Sequence, residues 1–175
     1  MRPPRLAPAT LGGLAALAMV FSGCSGARGT TTTTTAVMVT PREVVAAAKA
    51  TLEQWRQAYE VRSLDALAPL YAHDLDVVVV VEGTPLIGWS SVEAMLKDRL
   101  ARAGTIHVRL KDIGVSSLGP TAASVVATMS REVTAGATTV TEAGTLTLAL
   151  RHDHPAAGSG GAWVIVAEHY SYRRP

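Results

Sequence analysis

His169 and Glu142 are the two side chains best suited by type to acid–base work, and both sit in stretches that otherwise read as strand. A histidine on an apolar strand face titrates near neutral pH and can act as acid or base. If Glu142 follows Leu146 and Leu148 inward, burial raises its pKa toward that of a base or ligand anchor. If a bulge shifts the register, it is merely solvated. The two residues could pair across neighbouring strands, or His169 could be a structural piece held by hydrogen bonds. Both readings stay open.

Trp55, Tyr59 and Tyr71 could line a pocket and stack on a flat ligand, or simply pack the core. Trp89 could be a lid, an interface residue or exposed. His107, Arg109 and Lys111 alternate along one strand face and offer either an anion site or a solvated surface. His152-Asp153-His154 has the types of a metal site, but its glycine-rich loop supplies no third fixed ligand. Gly158-Ser159-Gly160-Gly161 lacks the lysine and following helix of a phosphate loop and reads as linker. Neither a nucleophile elbow nor a Cys-His pair is present. The ligand-binding candidates are therefore Trp55, Tyr59, Tyr71, Glu142 and His169; no catalytic set can be named, and no metal or cofactor is expected.

The elements that must position these groups begin at Thr40-Pro41-Arg42-Glu43, a capping box with proline at the first helical position. Val44, Ala48, Leu52, Trp55 and Tyr59 then form one apolar stripe, opposite Lys49, Glu53, Arg56 and Glu60. A second, shorter helix starts at Ser63 and is cut by Pro69. Asp76 to Glu82, with its run of valines, reads as a strand, and Gly83 to Gly88 as a turn. Ser90-Ser91-Val92-Glu93 reads as a second capping box, opening a third helix that ends near Gly104. From Ile106 the period changes to two, giving strands over 106–118 with a bulge at Gly114, 121–134, 138–151, and finally 162–172. In that last strand Trp163, Ile165, Ala167, His169 and Ser171 share one face, and Val164, Val166, Glu168, Tyr170 and Tyr172 the other. With apolar residues on both faces, it belongs to the middle of a sheet.

The chain has 175 residues and one cysteine, Cys24, so a domain of ordinary size must be held by its core. Residues 1 to 23 have the parts of an export signal: Arg2 and Arg5, an apolar run from Leu11 to Phe21, then small residues. Phe21-Ser22-Gly23-Cys24 resembles the bacterial lipoprotein cleavage box, which would make Cys24 the lipid-attachment residue and the membrane a partner through that anchor. Ordinary secretion is the alternative. Residues 24 to 39, with six threonines from Thr30 to Thr35, read as a tether. Two of the 16 Lys+Arg lie in the leader, so the rest balances the 14 Asp+Glu. That mixed charge offers no electrostatic footprint for nucleic acid.

Helices followed by long strands make an α+β pattern. The order, together with Trp55 and Ala58, the stretch Leu64-Asp65-Ala66-Leu67-Ala68 to Leu70-Tyr71, Gly88, and Trp163-x-Ile165-x-x-x-His169-x-Ser171, resembles the nuclear transport factor 2-like (SnoaL-like) superfamily. Its closing-strand pattern is similar to the association domain of calcium/calmodulin-dependent kinase. The resemblance covers residues 40–175 and implies a cystatin-like cone, three N-terminal helices packed on a curved antiparallel sheet around a pocket. It also implies a homodimer through the other sheet face. A place for the last strand on the sheet's outer margin, or a parallel neighbour beside it, would count against that assignment and against every proposed lining residue. Superfamily enzymes use pocket Asp, His or Tyr groups, but no catalytic set maps onto this chain. The expected function is non-catalytic binding of a small apolar ligand or protein partner by a cell-envelope lipoprotein. An isomerase, dehydratase or hydrolase using His169 with Glu142 or Tyr71 is the alternative, and a dimeric adaptor working through its sheet face is a third.

Overall fold

A computed structural model of the chain describes residues 39–153 and 161–173. The leader, Cys24, the tether up to residue 38, His154 and residues 158–160 of the linker lie outside the described residues.

Helix α1 (Pro41–Glu60) starts on its capping box. The Thr40 hydroxyl accepts from the Glu43 N–H at 3.3 Å, and the Glu43 carboxylate accepts from the Thr40 N–H at 2.7 Å. The stripe from Val44 to Tyr59 is buried. A one-turn helix α2 (Leu64–Leu67) follows from Ser63, whose hydroxyl accepts from the Ala66 N–H at 3.1 Å. It tightens into a 3₁₀ turn at Ala68–Leu70, where Pro69 has no N–H to extend an α-helix.

Strands β1 (Val78–Val81) and β2 (Thr84–Ile87) form a hairpin, so most of the segment expected to be turn is in fact strand. Glu82 and Gly83 suffice to reverse the chain because both adopt positive φ, 50° and 80°. That matches the right-handed twist of paired strands. Pro85 is tolerated because β2 is an edge strand. Helix α3 (Trp89–Arg102) also begins earlier than expected: its N-cap is Gly88 at φ 82°, with no side-chain cap, and the box at Ser90 does not form. Backbone bonds set that start. The Gly88 N–H donates to the Val77 carbonyl at 2.8 Å and the Trp89 N–H to the Asp74 carbonyl at 3.0 Å, which leaves Gly88 placed to accept from Val92.

Strands β3 (Thr105–Ser117), β4 (Ala122–Ala135), β5 (Thr138–Asp153) and β6 (Ala162–Arg173) complete a six-stranded sheet in the order β2-β1-β6-β5-β4-β3. The terminal strand is interior, as its apolar faces predict. The sheet is mixed rather than antiparallel throughout, because β1 runs parallel to β6. A connection through α3 and four strands is long enough to return the chain in either direction. The expected bulge in β3 falls between Lys111 and Gly114, with Asp112 at φ 51°.

A second bulge rewrites the terminal strand. Ile165 pairs with Leu150 and Ala167 with Ala149, leaving Val166 as an extra residue. Period two therefore breaks there. Ile165 stays in the core, but beyond the bulge Glu168 and Tyr170 turn inward while His169 and Ser171 turn out.

Candidate functional site

Glu168 comes to rest 4% exposed, on the inner face of β6 beneath α1. Carboxylates are almost never so buried without partners, and this one accepts two hydrogen bonds. The Tyr71 hydroxyl donates to its Oε2, and Trp55 Nε1–H donates to the same oxygen at 3.3 Å and to the Tyr71 oxygen at 2.9 Å. Tyr59 packs on Trp55 with ring centroids 4.7 Å apart. Burial pushes the Tyr71 phenol well above its usual pKa, and the charge of Glu168 adds to that; Tyr59 is raised for the same two reasons in the same order. Three aromatics from two segments thus close over one carboxylate.

A cavity of about 480 Å³ opens beside this cluster, between α3 and the ends of the strands. Met95, Ile106, Val133 and Val140 supply apolar wall, with Glu82 and Tyr172 also lining it. The Tyr172 hydroxyl donates to Glu82 at 2.7 Å. Arg131 and Glu142 stand directly opposite on β4 and β5, with Nε to Oε2 at 3.0 Å. The Arg131 guanidinium also lies over the Tyr170 ring, 5.2 Å from its centroid. Arg99 of α3 connects cavity and cluster through an NH1 hydrogen bond to the Tyr59 hydroxyl at 3.4 Å. Burial opposes the charge of Arg99, yet the fields of Tyr59 and Glu168 outweigh it and raise its pKa.

The structure separates the two acid–base candidates. Glu142 is inward, at the cavity, where its partner is Arg131. His169 is on the outer face, opposite Thr147 of β5, in a shallow depression with Glu82, Gly83 and Ser171. The His169–Glu142 pair therefore does not form: the Val166 bulge turns the histidine to the other face, and its register sets it opposite Thr147, several residues along β5 from Glu142. Trp55, Tyr59 and Tyr71 are 1%, 0% and 2% exposed and form core rather than the walls of this cavity. Trp89 is half-buried and stacked on His73 at 4.1 Å. Asp153 is engaged by Arg151, which also holds Asp74 at 2.9 Å. Among the described residues no three His, Cys, Asp or Glu side chains cluster as a metal site.

Glu168, Arg131 and Arg99 were not among the sequence candidates. The signal for Arg131 was present: counting back from a two-residue turn at Gly136-Ala137 places it opposite Glu142. Arg99 lies four residues after Met95, on the edge of the apolar stripe of α3.

A family model described as a SnoaL-like domain matches residues 48–175. The chain belongs to the SnoaL-like domain family. Solved structures share the fold of this SnoaL-like domain. A candidate aromatic ring hydroxylase from Novosphingobium aromaticivorans has a TM-score of 0.67 at 18% identity, with 78% of this chain and 93% of that one covered. A candidate dehydratase of the NTF2-like family from Streptomyces avermitilis gives 0.66 at 20% identity, over 77% and 99%. A candidate calcium/calmodulin-dependent protein kinase type II association domain from Thiobacillus denitrificans gives 0.57 at 23%, over 72% and 94%. At these identities the likeness speaks to fold alone. It also shows that the parallel β1–β6 pair does not count against the SnoaL-like assignment. No curated protein matches the chain.

Proposed function

We propose that the chain is an exported, lipid-anchored SnoaL-like domain that holds a small, mostly apolar molecule in the cavity between α3 and the sheet, without acting on it chemically. The cavity carries this reading. Its volume, about 480 Å³, falls within the ~300–1,000 Å³ typical of sites that enclose small molecules, and apolar wall dominates a few charged groups. The carboxylates that line it are already engaged, Glu142 by Arg131, Asp98 by Arg102 and Glu82 by Tyr172. A general base needs a lone pair aimed at the substrate, and these are aimed at protein donors.

The names of two structural neighbours favour a second reading, a small dehydratase or related enzyme. On this chain it would have to use Tyr71 and Glu168, because His169 is on the other face. The address rests on Arg2, Arg5, the apolar run and the box ending at Cys24. We place a homodimer contact on the outer sheet face, where Thr145, Thr147, Ala167 and Ser171 are small and uncharged.

Native mass spectrometry of the protein extracted from its source membranes tests these together. The expected species is a dimer acylated at Cys24 and carrying a small molecule. A protein that arrives empty and takes up no apolar probe dye would sink the binding reading, whatever its anchor.

A further inference from the structure

We infer that the ligand of this cavity is an organic anion, a carboxylate or phenolate on an apolar body, and that Arg99 receives its charged end. The inference rests on the binding reading above and specifies its chemistry. Among the described residues three arginines line the cavity. Arg102 is paired with Asp98 one turn earlier on α3, and Arg131 with Glu142 across the sheet. Arg99 has no carboxylate within ion-pair distance among the described residues. Its one hydrogen bond among the described residues, from NH1 to the Tyr59 hydroxyl at 3.4 Å, uses one of the five donors of a guanidinium.

The remaining donors open on accessible space. Among the described residues no fully buried side-chain nitrogen or oxygen lacks a partner, so the spare N–H groups of Arg99 are not sealed in protein. The space Arg99 borders is the cavity. Tyr59 is 0% exposed, so its hydroxyl ties the guanidinium to the core side of that space. Glu168, behind Tyr59 and Tyr71, balances the charge of Arg99 through the core without occupying its donors.

A neutral apolar ligand would cover a guanidinium and leave it desolvated, which is costly. A carboxylate offers two oxygens to the planar N–H fork and offsets that loss. Met95, Ile106 and Val133 beside it fit the apolar body.

Calorimetric titration of the full chain with 2-naphthoate and with the matched neutral alcohol, 2-naphthalenemethanol, tests the assignment. The acid is expected to bind roughly 10- to 100-fold more tightly, the worth of a charged hydrogen-bonded pair. Arg99→Met should abolish that preference and leave the alcohol unaffected. Arg109→Met, exposed on the outer face of β3, should retain it. Should Arg99→Met fail to fold by circular dichroism, Arg99→Lys keeps the charge without the fork and should shrink the preference. Equal binding of acid and alcohol overturns the anion while leaving the cavity reading standing. A preference undiminished in the Arg99 variant overturns the role of that residue. Binding of neither compound overturns both.

Discussion

Arg131 and Glu142 face one another with side chains only 8% and 10% exposed, a pair taken almost wholly out of water. Such a pair is weak evidence of stability, because desolvation offsets most of the attraction, but losing one member strands a buried charge. Arg131→Met is therefore expected to destabilise the domain by about 3 kcal/mol. The double variant Arg131→Met, Glu142→Leu should recover to within about 1 kcal/mol of the parent, since two apolar side chains fill similar volume. Urea unfolding of the parent, the two single variants Arg131→Met and Glu142→Leu, and the double variant gives the coupling directly, and a double variant no more stable than Arg131→Met would refute it. The inward position of Glu142 was legible from its alternation with Leu146 and Leu148, and its partner from the turn length. Glu168 was not legible. A strict period of two placed it opposite Ile165, and nothing in Val164-Ile165-Val166-Ala167 marks which residue is the extra one.

At the scale of elements, the long-period features were readable and the single-residue irregularities were not. The capping box of α1 and the cut at Pro69 follow from local chemistry that the tertiary structure does not override. The β1–β2 hairpin was hidden because a Glu-Gly turn lacks the usual asparagine or aspartate, and Pro85 argues against a strand unless its edge position is known. Gly144 shows the converse, an irregularity visible in sequence whose reason appears only in the sheet. It lies opposite Tyr172, and a Cβ built there would sit 1.8 Å from the Ser171 carbonyl oxygen and 2.6 Å from the Tyr172 Cα. Both obstacles are backbone, so β5 and β6 must part where Tyr172 lines the cavity. Gly144→Ala is expected to cost about 3 kcal/mol, at the upper end of ordinary overpacking. It should also weaken uptake of an apolar probe, and a melting temperature within a degree or so of the parent's would show that the strands accommodate the methyl.

For the molecule as a whole, pH probes the surface and the core separately. Arg56 holds Glu53 at about 2, and the Arg151 guanidinium, helped by the Asp76 and Val77 N–H groups, holds Asp74 below the usual carboxylate range. A carboxyl depressed in the folded state stabilises above its unfolded pKa of ~4 and loses that contribution as pH falls through the folded value. Glu53 and Asp74 keep 50% and 35% of their side chains exposed, so solvent screening limits each to under ~1 kcal/mol. The alkaline limb has the opposite sign and a deeper origin. Burial, then the charge of Glu168, raises Tyr71 and Tyr59, so their neutral forms stabilise below the ordinary phenol value of ~10, and that stability is lost as pH rises through the folded values. Melting temperature is thus expected to be level between roughly pH 5 and 9 and to fall on both sides. Arg151→Gln should flatten the acid limb alone, because Asp74 then loses its largest depressing partner. Salt should shrink the acid limb and leave the alkaline one, since a sealed core is not screened. Of the four tyrosines, Tyr59 and Tyr71 should contribute tyrosinate absorbance only together with loss of the far-ultraviolet circular dichroism signal. If all four ionise near pH ~10 while the secondary structure persists, water reaches the Trp55–Tyr71–Glu168 cluster, and the cavity extends to that carboxylate.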